Sequence, residues 1–173
     1  MRGHIVAALA AAVASCGAAA AQDADVDLGR YYALGAQAAF GVERVDRDDG
    51  VLAIEDNAGY GAFGRYGVRK NRYFALEGEL GFATFPGGTT YGHGGGYAVG
   101  ILPLGPVDLR GRLGVSASVL SDTAVIGLYT GLGIGVRTGP GQSIRLDLNP
   151  ISDELSDTGE VGALVQLGYQ RSF

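Results

Sequence analysis

The chain has 173 residues, including 31 glycines, one cysteine and a net charge of −5. That length fits one domain, and 47% hydrophobic content with no Gly-X-Y period excludes both collagen and disorder. The negative balance argues against a nucleic-acid partner, and a sole cysteine, Cys16, leaves neither a disulfide framework nor a cysteine-based metal site.

The chain opens on a leader. Arg2 supplies a short positive region, Ile5 to Ala14 an apolar core, and Ala19-Ala20-Ala21 before Gln22 an A-x-A cleavage site. Residues 1–21 therefore read as a secretory signal peptide. The run Val13-Ala14-Ser15-Cys16 offers a second reading, in which a lipobox-like site makes an acylated Cys16 the new N-terminus. That alternative would give a periplasmic lipoprotein barrel that never inserts. Either way the chain is exported. Residues 22–28 form a short acidic segment, and residues 29–173 carry the domain. Past the leader, no stretch approaches the roughly 18 consecutive apolar residues of a membrane helix.

From Arg30 onward the chain alternates with a period of two, the mark of strands with one apolar and one polar face. Arg30 to Val42 sets Tyr32, Leu34, Ala36, Ala38 and Phe40 against Tyr31, Ala33, Gly35, Gln37 and Ala39. Glu43 to Asn57 is a charged loop. Ala58 to Arg69 puts Tyr60, Ala62, Tyr66 and Val68 on one face, with Phe63, Arg65 and Arg69 on the other. A tight turn at Lys70-Asn71-Arg72 returns to Tyr73–Ala83, where Phe74, Leu76, Leu80 and Phe82 oppose Glu77 and Glu79. Thr84 to Gly95 reads as a flexible Gly-rich loop. Gly96 to Leu102 places Tyr97, Val99 and Ile101 on the apolar face.

After the turn Pro103-Leu104-Gly105-Pro106, Val107 to Ser118 sets Leu109, Leu113 and Val115 against Asp108, Arg110, Arg112 and Ser116. Val125 to Arg137 sets Ile126, Leu128, Leu132 and Ile134 against glycines and Tyr129. Ser143 to Asn149 sets Ile144, Leu146 and Leu148 against Arg145 and Asp147. Gly159 to Phe173 closes the chain, with Val161, Ala163, Val165, Leu167, Tyr169 and Phe173 on its apolar face.

These are eight strands joined alternately by longer loops and tight turns, the layout of an outer-membrane barrel with its loops at one end. The apolar faces carry only Arg30 and Arg171, where long side chains at a membrane boundary can snorkel. A soluble up-and-down barrel would show the inverse, with charge outside. The predicted fold is all-β: an eight-stranded antiparallel up-and-down transmembrane β-barrel with an N-terminal signal peptide.

The chain also resembles the eight-stranded outer-membrane β-barrel family of the OmpA transmembrane domain, OmpX and the opacity-like surface proteins. The resemblance rests on the Ala-rich leader, on Tyr60-Gly61-Ala62-Phe63-Gly64-Arg65-Tyr66, on the Leu102–Leu109 run and on Leu167–Phe173. It implies that Tyr169 and Phe173 belong to a terminal assembly signal recognised by the barrel assembly machinery. It implies outer-membrane lipid and lipopolysaccharide as surroundings. A monomer is expected.

The interior of eight strands is just wide enough for side chains to fill. Reflection about the Lys70-Asn71-Arg72 turn sets Arg65 opposite Glu77. Together with Glu79, Asp108, Arg110, Arg112, Arg145 and Asp147, these make four acids and four bases in one lumen layer near the turns. Charges so confined persist only if paired and hydrogen-bonded, so the set reads as a salt-bridge plug that fixes register. The sequence thus points to a non-catalytic structural or surface module whose acidic and Gly-rich loops face outward. One alternative is a narrow porin-like channel for small solutes.

A lipid A-modifying enzyme is the second alternative, and it would need a His-Ser-acid constellation. The only histidine past the leader is His93, read as solvated in the Gly-rich loop with no serine beside it. No cofactor and no metal are expected. Gly92–Gly96 lacks the Gly-Lys-Ser/Thr of a phosphate loop, and Asp46-Arg47-Asp48-Asp49-Gly50 lacks calcium-loop spacing.

Overall fold

The structure, a computed structural model, describes residues 28–40, 44–46, 50–52, 58–120, 123–152 and 161–173. Cys16, residues 1–21 expected to form a signal peptide, and residues 22–27 lie outside the described residues. So do most of the loop acids, among them Glu43, Asp48, Asp49, Glu55, Asp56, Asp122, Asp153, Glu154 and Asp157.

Eight long strands close into one antiparallel barrel. They are β1 (Gly29–Phe40), β4 (Gly59–Asn71), β5 (Phe74–Thr84), β6 (Thr90–Leu104), β7 (Val107–Leu120), β8 (Thr123–Gly139), β9 (Gln142–Ser152) and β10 (Val161–Ser172). Two three-residue strands, β2 (Arg44–Asp46) and β3 (Gly50–Leu52), pair with each other in the connection between β1 and β4. The barrel closes where β10 pairs with β1, running from Tyr31 opposite Ser172 to Phe40 opposite Ala163. Closure leaves no unpaired edge, which a hydrocarbon solvent demands.

The pairings fix the size of the barrel. A row of directly paired residues runs Arg137, Ser143, Gln170, Ala33, Arg65, Glu79, Gly95, Ser116 and then Gly127. One circuit thus returns to β8 ten residues from where it left, a shear of ten. Eight strands with that shear tilt by roughly 40° and give a backbone radius of about 8 Å.

Turn chemistry sets one end. Gly105 takes φ +65° as the first central residue of the β6–β7 turn, and Gly141 takes φ +66° after Pro140 in the β8–β9 turn. Both are conformations that side chains resist and glycine accepts. Between β4 and β5, Asn71 Oδ1 accepts from the Tyr73 N–H at 2.8 Å.

The exterior is apolar. Leu34, Leu80, Leu113, Leu128, Leu132, Leu148 and Leu167 are all exposed. Tyr32, Tyr73, Phe74, Tyr169 and Phe173 gather toward the turn end, and Phe40, Tyr60 and Phe82 toward the loop end. These are the two aromatic girdles of a transmembrane barrel. Arg30 and Arg171 are exposed at the turn end, as a boundary position requires.

Three expectations are corrected. The Gly-rich segment is largely strand, because β6 begins at Thr90 and leaves only Phe85–Thr89 as loop. Backbone pairing on both sides, to β5 and β7, holds these glycines in the sheet despite their poor strand propensity. The β7–β8 connection, expected over Val119–Ala124, is likewise shorter, with β7 running to Leu120 and β8 starting at Thr123. Finally, Tyr97, Val99 and Ile101 face the interior, where they cluster with Tyr31, Ala75 and Tyr129. Ala98, Gly100 and Leu102 are the exposed set.

Candidate functional site: a charged barrel interior

Each of the eight charged residues singled out in the sequence points inward and is buried: Arg65 on β4, Glu77 and Glu79 on β5, Asp108, Arg110 and Arg112 on β7, Arg145 and Asp147 on β9. They do not form one layer. Arg65, Arg112 and Arg145 interlock with Glu77, Glu79 and Asp147 at mid-barrel, whereas Asp108 and Arg110 sit nearer the turns.

The mid-barrel layer is cross-braced. Arg65 Nε donates to Glu79 Oε2 at 2.6 Å and its Nη1 to Asp147 Oδ2 at 2.8 Å. Arg112 reaches Glu77 Oε2 at 3.2 Å through Nε and Glu79 Oε2 at 2.9 Å through Nη2. Arg145 Nη1 donates to Glu77 Oε1 at 2.6 Å, and its Nη2 to Asp147 Oδ1 at 3.3 Å. Every carboxylate therefore meets at least two guanidinium groups. Neutral groups fill the remaining valences. Tyr31 Oη donates to Glu77 at 2.6 Å, and Gln166 accepts from Asn149 at 2.8 Å while donating to Glu79 at 3.0 Å. Arg112 also lies over the Tyr97 ring at 4.2 Å, and Arg65 over Phe63 at 5.1 Å.

The register differs from the reflected one. Arg65 pairs with Glu79, and Glu77 pairs with Gly67, because β4 runs to Asn71 and the ladder shifts between Arg69 and Asn71. Glu77 nevertheless lies 3.5 Å from Arg65 Nε, diagonally across the ladder.

Glycines in the β8 wall make room for this layer. A Cβ on Gly131 or Gly133 would fall on Asn149 Oδ1 or Asp147 Oδ1, and one on Gly135 would approach Arg110 Nε at 3.3 Å. The glycine column is space for side chains lying flat against the wall.

At the turn end, three arginines share one acid. Asp108 lies 3.0 Å from Arg137, 3.4 Å from Arg110 and 3.6 Å from Arg69. At the loop end the interior closes on an apolar cap of Ala39, Ala83, Phe85, Tyr91 and Leu164.

Beneath the cap lies His93, buried and not solvated. Its ring stacks on Tyr91 at 5.6 Å, Nε2 is 3.1 Å from Gln37 Oε1, and Nδ1 is 3.6 Å from Glu79 Oε1. A serine does stand beside it, since Ser118 is its cross-strand partner. Ser118 Oγ, however, contacts the Tyr91 hydroxyl at 3.0 Å, and His93 is engaged with Gln37.

Sequence reading missed Gln37, Asn149, Gln166 and Arg137 as network members. Their parity placed them on polar faces, but only the register shows whom they meet. Tyr169 and Phe173 are exposed on the outer surface of the closing strand, and Phe173 packs against Tyr32 with ring centroids 6.3 Å apart.

An apolar exterior with two aromatic girdles around a charged, side-chain-filled interior defines an integral β-barrel of the bacterial outer membrane. Solved structures share this fold. The chain is similar to Neisserial surface protein A, at 15% identity and TM-score 0.57 over 84% of this chain and 97% of that one. It is similar to Ail, the attachment invasion locus protein of Yersinia pestis in complex with the heparin analogue sucrose octasulfate, at 13% identity and TM-score 0.57 over 84% and 99%. It is also similar to OprG from Pseudomonas aeruginosa, at 10% identity and TM-score 0.59 over 85% and 98%. At these identities the likeness is one of fold. No protein-family model matches the chain, and no curated protein matches it.

Proposed function

We propose that the protein is a non-catalytic, non-conducting surface module of the outer membrane. In this reading its interior is a structural plug, and its loop end meets the environment. The observation that supports it most is the mid-barrel layer, where three arginines and three carboxylates bridge β4, β5, β7 and β9 across the bore. An ion entering that layer would have to displace contacts as short as 2.6 Å. The largely apolar cap above, whose Tyr91 hydroxyl is engaged with Ser118, adds a second barrier with few polar groups to replace a hydration shell. Lipid and lipopolysaccharide would surround the exterior belt, and no cofactor is required.

Planar-bilayer recording of purified protein tests this reading. The native chain is expected to give no steady single-channel steps, whereas Glu79→Gln combined with Asp147→Asn, which strips two acids from the layer, should give transient openings. Stable unitary conductance from the native protein would replace the plug with a narrow channel for small solutes.

A further inference from the structure

The interior is unevenly charged. Among the described residues it holds six guanidinium groups (Arg65, Arg69, Arg110, Arg112, Arg137, Arg145) and four carboxylates (Glu77, Glu79, Asp108, Asp147). The mid-barrel layer is balanced three against three. The surplus of two positive charges therefore falls at the turn end, where Arg69, Arg110 and Arg137 converge on Asp108.

A single aspartate has two oxygens, and here both are taken, Oδ1 by Arg137 and Oδ2 by Arg110 and Arg69. Arg110 keeps a buried Nε with no hydrogen-bond partner, although the residue is only 4% exposed. Ser143, the cross-strand partner of Arg137, keeps a buried Oγ with none either, at 5% exposure. Three cations of like sign in one mouth repel, and unpartnered donors buried beside them are costly. Arg137 is the most accessible of the group, its side chain 19% exposed, so the cluster opens toward the turn end, while Arg110 Nη1 reaches back to Gln170 Oε1 at 3.0 Å and lies 4.0 Å from Glu77.

We propose that this turn-end mouth is a binding site for one oxyanion, a phosphate or carboxylate group, held by Arg137, Arg110 and Ser143 with Arg69 behind. Guanidinium forks match such groups in geometry as well as charge. Two sources could supply the anion. One is a free solute such as inorganic phosphate. The other is the chain itself, because Asp23, Asp25 and Asp27 lie in the few residues before β1, which starts at this same end.

The test is calorimetric titration of inorganic phosphate into purified protein in maltoside micelles, a detergent without phosphate, at low salt. The native protein and the Asp23→Asn/Asp25→Asn/Asp27→Asn variant are compared. Equal saturable binding to both supports the site with a solute anion. Binding that appears or tightens about tenfold only in the triple variant supports it with the chain's own carboxylates as occupant. Whichever protein binds serves as background for the remaining changes. Arg137→Gln should weaken binding about tenfold and Asp108→Asn should tighten it, while Lys70→Gln and Arg72→Gln, cations on the neighbouring exposed turn, should leave it unchanged. Heat-dependent gel mobility verifies that each variant is a folded barrel. Absence of saturable binding to both starting proteins, or affinity indifferent to Arg137→Gln and Asp108→Asn, would overturn the proposal.

Discussion

A methyl group on Gly133 would land on a carboxylate oxygen of Asp147, whereas one on Gly127, farther up the same strand, would meet nothing within 4 Å. Gly133→Ala should therefore displace Asp147 from Arg145 and lower stability by about 1–3 kcal/mol. Gly127→Ala should change it by less than about 0.5 kcal/mol. Urea unfolding of the vesicle-inserted barrel measures both.

Arg65→Ala is expected to cost more, about 3–5 kcal/mol, because it leaves Glu79 with Arg112 alone and Asp147 with Arg145 alone, so that three buried carboxylates face two guanidinium groups. Arg171→Ala, at the exposed rim, should be far milder. The polar parity of these strands was legible in the sequence, since Arg65, Glu77, Arg112 and Asp147 all alternate with Leu, Val or aromatic residues. His93 was not legible. In a run of glycines nothing local signals a strand, and only the ladders from β5 and β7 turn that side chain inward. Tyr97 misled for a different reason. Apolar character was read as facing lipid, but an aromatic ring beneath the Arg112 guanidinium belongs inside.

At the scale of elements, the closing strand carries the clearest expectation. β10 is the last of the described strands in chain order, and its pairing with β1 removes both remaining edges. Phe173 ends it, with its N–H donating to the Arg30 carbonyl at 3.0 Å and its ring against Tyr32. Deleting Phe173 should block insertion while leaving export intact. Fractionation would then show the chain in the periplasm without heat-dependent mobility. Normal assembly after the deletion would dismiss the role of Tyr169 and Phe173 as an assembly signal. Strand boundaries at the turns were readable from Pro-Gly and Gly-Pro pairs. The β4–β5 register was not, because a reflection about Asn71 assumes a regular ladder centred there, whereas Asn71 pairs with Phe74 across Arg72-Tyr73 and the irregularity between Arg69 and Asn71 then sets Arg65 opposite Glu79.

At the scale of the whole molecule, the inversion of inside and outside was the most legible feature of all, because it is a property of parity summed over eight strands and survives an error on any one of them. On β6 the apolar parity of Tyr97, Val99 and Ile101 faces the interior, and the sum over the other strands still defines the barrel. What the sum could not supply was distance: which cations share which acid, and therefore where charge is left over.

The shear of ten carries a further consequence. If β1 and β10 met one residue out of step, inward and outward faces would be exchanged across the seam. A slip of two residues would keep the faces but change the shear to eight or twelve, altering the backbone radius by roughly 0.7 Å either way. Contacts such as Arg145 to Glu77 at 2.6 Å cannot absorb that change at both walls at once. The ion layer thus acts as a gauge for the circumference: only one closure lets it lock, and a mis-closed barrel would reveal itself by leaving its own charges unmet.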